Sequence, residues 1–471
     1  MIVKQMIEQA MQAFKETLEN FCQRVPEEAL SMESAQVITE GIQQALGCAG
    51  RAAFKTYLEA KEVHAGTVEA WGETFAFKYV SEKRFETLWG LMTLSRRVYQ
   101  NASDTLTYVP LDAAWGMAHE FMTLEVREAV AFSCAHVTPE ETHALLEKSA
   151  LFHPHPTQIK RCVESIGELI AMEPLELDER IRACEHVPTQ TCALAASLDG
   201  ANVLMRKPSG DGAKRGRPAQ RPGAASNQAK TTAYRNAMVG SITFYGAVPE
   251  GEKGPQRLET RYTSHMPEEY APTFKAKFEA ELAGAERKAP PGVVKVLLCD
   301  GARPLWNYIE HHEPFDDYEK LIDYYHTLEH LSLAAEALFG KESQAGTAWY
   351  NKYRKKLIEE DLAARSILHS MDYYEHANKL SNKRRDALET ERTFFRRNQA
   401  RMTYADFRRR GLPIGSGPVE AACKTLVKTR LCRSGMRWTH QGGQRILDLR
   451  TYVKSNRWDG FWNEYRKMFV A

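Results

Sequence analysis

Two apolar runs, each closing on an aspartate followed by a glycine, constrain this chain more than any other feature of its sequence. Residues 192–198 run into Asp199-Gly200, and residues 293–299 run into Asp300-Gly301. Short apolar runs bounded by turn residues read as buried strands, which calls for a sheet with helices packed on it. Asp-Gly is also a common two-residue hairpin turn. Residues 191–205 therefore read as a strand, a tight turn and a second strand, and Asp199 taken alone reads as a turn residue. Asp300 resists that explanation, because ending a buried strand on a carboxylate is costly unless the charge is used. In a mixed α/β sheet, neighbouring strand ends bring such residues side by side at one edge. A third carboxylate, Glu420, follows Gly415-Ser416-Gly417-Pro418 in the first turn of a helix, where it could also simply complement the helix dipole. Three carboxylates meeting at one edge repel one another unless a divalent cation neutralises them, and hard oxygen donors suit Mg²⁺ or Mn²⁺. Two such ions about 4 Å apart can activate a water or a 3′-hydroxyl and stabilise the leaving oxygen of a phosphodiester.

The 471 residues are 43% hydrophobic and 26% charged. That suggests two to four structural units with ample core, and excludes a disordered chain, a collagen-like repeat and a disulfide-stapled mini-protein. No apolar stretch approaches the roughly 20 residues of a membrane-spanning helix, and the first 21 residues mix Lys, Glu and Gln into their apolar stripe, unlike a signal peptide. Nine scattered cysteines without a CxxC pair point to reduced thiols and a cytoplasmic location.

The pattern divides the chain into five regions. Residues 1–116 form an N-terminal helical region with a short β segment between 66 and 116. There, Val3, Ile7, Ala10, Phe14, Leu18 and Phe21 make one stripe, as on a core-facing helix or, less commonly, a dimerisation helix. Residues 117–190 are helical. Thr138 reads as an N-cap, Pro139 as the first helical residue and Glu141 as the closing member of a capping box. His153-Pro154-His155-Pro156 breaks this helix, and the next carries Lys160 and Arg161. The pair resembles a helix-turn-helix, although any helical hairpin shares the outline. Residues 191–340 hold the strands, with a third at 239–245 and another at 321–326, and include a low-complexity stretch at 207–230 that reads as a mobile loop. Within it Arg215-Gly216-Arg217-Pro218 has the form of a minor-groove insert, or of an uncommitted linker. Residues 341–411 are all-helical, and residues 412–471 form closing helices.

The charge is unevenly placed. Between Lys379 and Val470 there are 22 lysines and arginines against eight acidic residues, a net +14 in a chain of +2, so the remainder carries −12. A solvated helical face explains such a run as well as a phosphate-binding surface does. The interleaved aromatics and the adjoining glycine-rich motif favour nucleic acid. Lys424 and Lys428 follow Glu420 at four-residue steps and share its helical face, where they could hold phosphates beside a metal. Arg430, Arg433, Arg437 and Trp438 lie just beyond. Trp438 reads either as a platform for an unpaired base or as a packed core residue.

Several motifs then combine: Asp199-Gly200; Cys299-Asp300-Gly301-Ala302 with Trp306; Leu321 to Leu331 with Asp323-x-x-His326; Pro413 to Lys424; and Ser434-Gly435-Met436-Arg437-Trp438. Over roughly residues 85–465 the chain resembles the ISKra group of bacterial insertion-sequence transposases, relatives of the Mutator-like DDE superfamily. The resemblance implies an α/β catalytic core with an RNase H-like mixed sheet, an all-α insertion between the second and third carboxylates, and Asp199, Asp300 and Glu420 as catalytic metal ligands for two Mg²⁺ or Mn²⁺ ions. It also implies strand cleavage and strand transfer on double-stranded DNA, both element ends and target, by at least a dimer at the bacterial nucleoid. Asp323, His326 and Trp306 would support the site or approach the DNA, with Lys160, Arg161, Arg215 and Arg217 as further DNA contacts. The 120 residues between Asp300 and Glu420 leave room for the insertion. The chain departs from its relatives in its low-complexity 207–230 stretch and in lacking paired N-terminal cysteines. Two other readings compete: a transposase-derived DNA-binding protein that has lost its chemistry, and a zinc peptidase suggested by His326-Thr327-Leu328-Glu329-His330, an H-x-x-E-H pattern. The peptidase would leave the basic block unexplained.

Overall fold

A computed structural model describes residues 1–23, 31–103, 105–206 and 232–470. Arg215, Arg217 and the rest of 207–230 lie outside the described residues. The chain divides into two compact units, one of residues 1–172 with 459–471 and one of residues 173–458. No helix among the described residues is long and apolar enough to cross a membrane.

The first unit opens with two long helices, α1 (Ile2–Cys22) and α2 (Met32–Glu59), packed on each other. Phe21 lies so close to Gly41 that a Cβ there would sit 2.7 Å from that of Phe21. The core-facing expectation for α1 is corrected: no described residue of α1 is buried, and Val3 and Ile7 are 67% and 53% exposed. The expected short β segment is a four-stranded antiparallel sheet of β1 (Thr67–Ala70), β2 (Glu73–Thr87), β3 (Gly90–Asn101) and β4 (Thr107–Tyr108), in that order. Charge hid this sheet from the period-2 pattern. Arg96 continues the inward row of Met92 and Leu94, and its buried guanidinium meets Asp112 at 2.6 Å.

The helices α3 (Pro110–Ala114), α4 (Leu124–His136), α5 (Pro139–Ser149) and α6 (Pro156–Met172) follow. The Thr138–Glu141 capping box forms as expected. Lys160 and Arg161 lie exposed on α6, with Lys160 paired to Glu140 at 2.7 Å. The C-terminal helix (Trp458–Val470) returns to this unit, where the Tyr465 hydroxyl accepts a hydrogen bond from the buried Arg127.

The second unit is a mixed α/β layer structure. After α7 (Pro174–Ala183) come β5 (Ala193–Arg206), β6 (Thr232–Tyr245), β7 (Arg257–His265), α8 (Pro272–Lys288), β8 (Val294–Cys299), α9 (Arg303–Glu310) and β9 (Glu319–Ile322). The sheet order is β7-β6-β5-β8-β9, with the first three strands antiparallel and β5, β8 and β9 parallel. Parallel neighbours need crossovers, and α8 and α9 supply them. Gly240 lets α8 approach closely, since a Cβ there would lie 2.5 Å from Phe278.

Two strand assignments are corrected. Asp199-Gly200 is not a turn: β5 runs through it, paired Asp199↔Val239 and Gly200↔Met238, because β6 is long enough to match it along its whole length. Residues 323–326 are not strand either. Asp323 accepts the backbone N–H of His326 at 2.7 Å and caps a helix, so the apolar run is divided between β9 and α10 (Tyr324–Phe339). Three more helices, α11 (Gln344–Glu359), α12 (Ala363–Ala377) and α13 (Asn382–Asn398), and the short α14 (Tyr404–Arg409) follow. Then α15 (Gly417–Ala422) runs through a π-helical turn (Cys423–Lys428) into α16 (Thr429–Leu431), before α17 (His440–Lys454). The core joins inward residues of the sheet, such as Leu194, Ala196, Val296 and Leu298, to Phe274, Phe278, Leu331 and Phe395 of the helices.

Candidate active site

Register builds the site. In the β5–β8 pair, Ala193 faces Val294 and Ala196 faces Leu297; the same step carried on puts Asp199 opposite Asp300. In the β8–β9 pair, Val296 faces Glu319 and Cys299 faces Ile322, and the next position sets Asp300 against Asp323, whose N–H still donates to the Cys299 carbonyl at 2.8 Å. Neighbouring strands lie about 4.8 Å apart, so three aspartates form one row across three strands. Asp199 and Asp300 are half-buried and Asp323 is fully buried.

The aspartates are held differently. The Asp300 carboxylate accepts the Ala302 N–H at 2.9 Å, and its carbonyl accepts the indole N–H of Trp306 at 2.6 Å. Arg397 donates to the next carbonyl, Gly301, at 3.0 Å, and a side chain at Gly301 would strike Phe394 at 2.5 Å. Asp323 spends its second oxygen on Ser416, accepting the backbone N–H at 2.5 Å and the hydroxyl at 2.9 Å. Together with the Tyr324 N–H on the Ile414 carbonyl at 3.0 Å, this fastens residues 414–416 to the sheet end. Glu420 therefore starts its helix beside the row, with its carboxylate 3.4 Å from the Ser416 hydroxyl oxygen.

The electrostatics register the crowding. Burial, with Asp199 and Asp323 adding to it, raises the Asp300 carboxyl above its ordinary value. Burial and then the Asp323 charge raise Glu420, with Asp199 contributing and Lys424 partly offsetting. The three predicted ligands are thus brought into one field, with Asp323 as a fourth, fully hydrogen-bonded member. Among the described residues no three His, Cys, Asp or Glu side chains already close on an ion position. The donor set nonetheless fits a hard divalent cation: half-buried, mutually repelling carboxylate oxygens from separate segments, with the His326 imidazole near Asp300 and the Cys423 thiol on Asp199.

Cys423 and Arg450 could not be singled out from sequence. The Cys423 thiol hydrogen-bonds Asp199, and burial followed by that carboxylate pushes the thiol well up. The π turn that places it frees backbone carbonyls, and the buried Arg450 donates to those of Leu426, at 2.6 Å, and Thr425. Burial, and then the neighbouring Arg430, bring the Arg450 guanidinium down to about 10. A π turn beside a functional residue is a common pairing, but it has no sequence signature of its own.

The cationic residues separate into two groups. Lys424, Lys428, Arg433 and Arg437 are exposed, as a phosphate-binding surface requires. Arg430 is corrected: only 2% exposed, it lies under the Trp438 ring at 5.6 Å and cannot contact DNA. Trp438 is half-buried, its main chain pairs with Leu204 and Arg206, and its indole N–H is given to the Leu431 carbonyl at 2.7 Å, which fits the packed reading. Trp306 is 3% exposed under the Arg401 guanidinium, so it supports Asp300 and does not reach DNA. His326 and His330 face each other, Nε2 to Nε2 at 3.3 Å, with His330 held by Glu391 at 2.6 Å and stacked on Phe394. The peptidase pattern would need Glu329 as base, but that side chain is 76% exposed and turned to the other nitrogen of His326, at 3.6 Å. No protein-family model matches the chain, and no curated protein matches it.

Proposed function

We propose that the second unit is an RNase H-like nuclease core and that the chain is a DDE-type DNA transposase, which cleaves DNA strands and joins the freed ends to a target. The observation that carries this reading is the row itself: Asp199 and Asp300, which fall opposite each other when the parallel β5–β8 register is continued and which share one field, with Glu420 delivered from 120 residues later by a loop that Asp323 anchors. Support also comes from a five-stranded sheet whose first three strands are an antiparallel meander and whose central strand continues in parallel pairs. The helices α11 to α14 would form the insertion, and the exposed Lys424, Lys428, Arg433 and Arg437 would meet the phosphates.

Asp199, Asp300 and Glu420 would hold the ions, which when bound activate a water or a 3′-hydroxyl and stabilise the leaving oxygen. The chain's own part is positioning and neutralisation. Asp323 orients residues 414–416, Cys423 orients Asp199, Trp306 and Arg397 hold the Asp300 loop, and the lysines draw the backbone into place. The test is cleavage of the chain's own flanking DNA with Mn²⁺. Wild-type protein should nick it, and Asp300→Asn and Glu420→Gln should not, while both still shift the DNA in a gel. Cleavage by either variant would remove the assignment.

A further inference from the structure

The face of the sheet opposite Asp199 carries a cleft of about 680 Å³ that the chemistry above leaves unused. Successive side chains of a strand point to opposite faces, so Leu198, which lines the cleft, places it one residue from Asp199 through the sheet. Pro304 and Leu305, just after the Asp300 loop, form another wall. Its volume falls within the roughly 300–1,000 Å³ of ligand sites. Around it stand two cations, Arg235 and Lys275, two aromatic rings, Tyr270 and Tyr308, and the Asn236 amide. The Lys275 ammonium lies 4.6 Å from the centre of the Tyr308 ring, whose hydroxyl donates to Glu279 at 2.5 Å.

Tyr270, at this rim, is one of seven described non-glycine residues with a positive φ. Its φ is +57° and that of Ala271 is +50°, a conformation that costs a side-chain-bearing residue roughly 1–2 kcal/mol and that bulky residues rarely adopt. Ala271 packs on the core and leads into α8, whereas the Tyr270 side chain is left 82% exposed. The turn is nonetheless well fastened. Glu268 accepts both the backbone N–H and the hydroxyl of Thr273 at 2.9 Å, and the Ala271 carbonyl accepts the Lys275 N–H at 3.0 Å. Tyr270 itself gains no burial from the strained turn, and backbone strain of this kind clusters at ligand clamps. An exposed ring beside a cation is the chemistry that holds single-stranded nucleic acid, with a base on the ring and a phosphate on the cation. Glu269, exposed at the same rim, repels further phosphate and suits the site to a single nucleotide.

We infer that this cleft binds one unstacked nucleotide of a DNA strand held by this unit, with its base on Tyr270 and its phosphate drawn to Lys275. The inference rests on the DNA-cleaving reading and adds to it a hold on unpaired DNA at the sheet face opposite Asp199.

The test uses the full chain in EDTA, so that no chemistry intervenes, with a single-stranded oligonucleotide of about 12 nucleotides carrying 5-iodouracil. Irradiation should cross-link the strand to the peptide containing Tyr270. Tyr270→Gly should weaken binding by about tenfold and Tyr270→Phe should leave it unchanged, since base stacking needs the ring and not the hydroxyl. Glycine favours φ +57°, so Tyr270→Gly should melt no lower than wild type, which separates lost stacking from lost folding. A cross-link that maps elsewhere, or unchanged binding by Tyr270→Gly, overturns the inference. If wild type cleaves DNA with Mn²⁺ but shows no cross-link at Tyr270, the cleft proposal alone fails. If the cross-link forms but wild type does not cleave, the transposase reading fails and the nucleotide site stands.

Discussion

The second unit contains two clusters of charge built on opposite rules. Behind the sheet, Arg457 donates to Glu281 at 2.5 and 3.0 Å and to Glu185 at 2.7 Å, while Arg182 and Arg261 reach the same two carboxylates at 3.4 and 3.2 Å. Burial alone would raise Glu281, but Arg457, Arg182 and then Arg261 outweigh it and hold its carboxyl below the ordinary value. At the sheet end, Asp199, Asp300, Asp323 and Glu420 gather with like charge, and two of them are pushed up instead. A buried pair is costly to break because one partner is left without compensation. A like-charge row is costly to keep, and removing a member relieves the fold. The first pattern is that of an element of stability, and the second, on the proposed function, would take its counter-charge from outside the chain.

The largest effect that would break this contrast is on activity. Asp300→Asn should lower Mn²⁺-dependent strand cleavage by roughly 10⁴-fold or more, yet leave the thermal midpoint equal to or above that of wild type. A variant that melted markedly lower would place Asp300 among the structural charges. Arg457→Met should do the reverse, costing about 3–5 kcal/mol in a denaturant titration, because Glu281 would remain buried beneath weaker partners. A loss under about 1 kcal/mol would show that the network is better hydrated than its burial indicates.

Metal should act on one cluster alone. With a millimolar affinity, 10 mM Mg²⁺ stabilises the fold by about 1.4 kcal/mol through linkage, seen as a raised melting temperature that Asp300→Asn and Glu420→Gln abolish and Arg457→Met does not. An equal shift in all the variants would mean that Mg²⁺ binds elsewhere.

The smallest effect is a pH slope measured in EDTA. Asp300 and Glu420 have raised folded values, so their contribution to stability is present below the ordinary carboxylate range. It is lost as pH rises through that range to the raised values. Glu281 has a lowered folded value, so its contribution is present above the ordinary range and is lost as pH falls through it. The double variant Asp300→Asn/Glu420→Gln should therefore lose less stability than wild type between about pH 4 and 7. Parallel curves would show that crowding in the row is relieved by solvent.

Much of the candidate site was legible because its signals are local. An apolar run closing on Asp300-Gly301, a Gly-Ser-Gly-Pro lead into Glu420, and a +14 block can each be read within a few residues. The Thr138–Glu141 capping box formed for the same reason. What misled was also local: Asp199-Gly200 has the composition of a turn, and residues 321–326 that of a strand, until pairing partners decided otherwise.

The sequence alone determined which carboxylates and cations stand in sharp local motifs and where a helix such as α5 starts, since side-chain type and capping act over three or four positions. Only the tertiary structure decided that Asp199, Asp300 and Asp323 align, that Arg430 and Trp306 are buried, and that a strained Tyr270 stands over a cleft. Register, burial and close approach depend on segments more than 100 residues apart in places, and no window along the chain contains both partners.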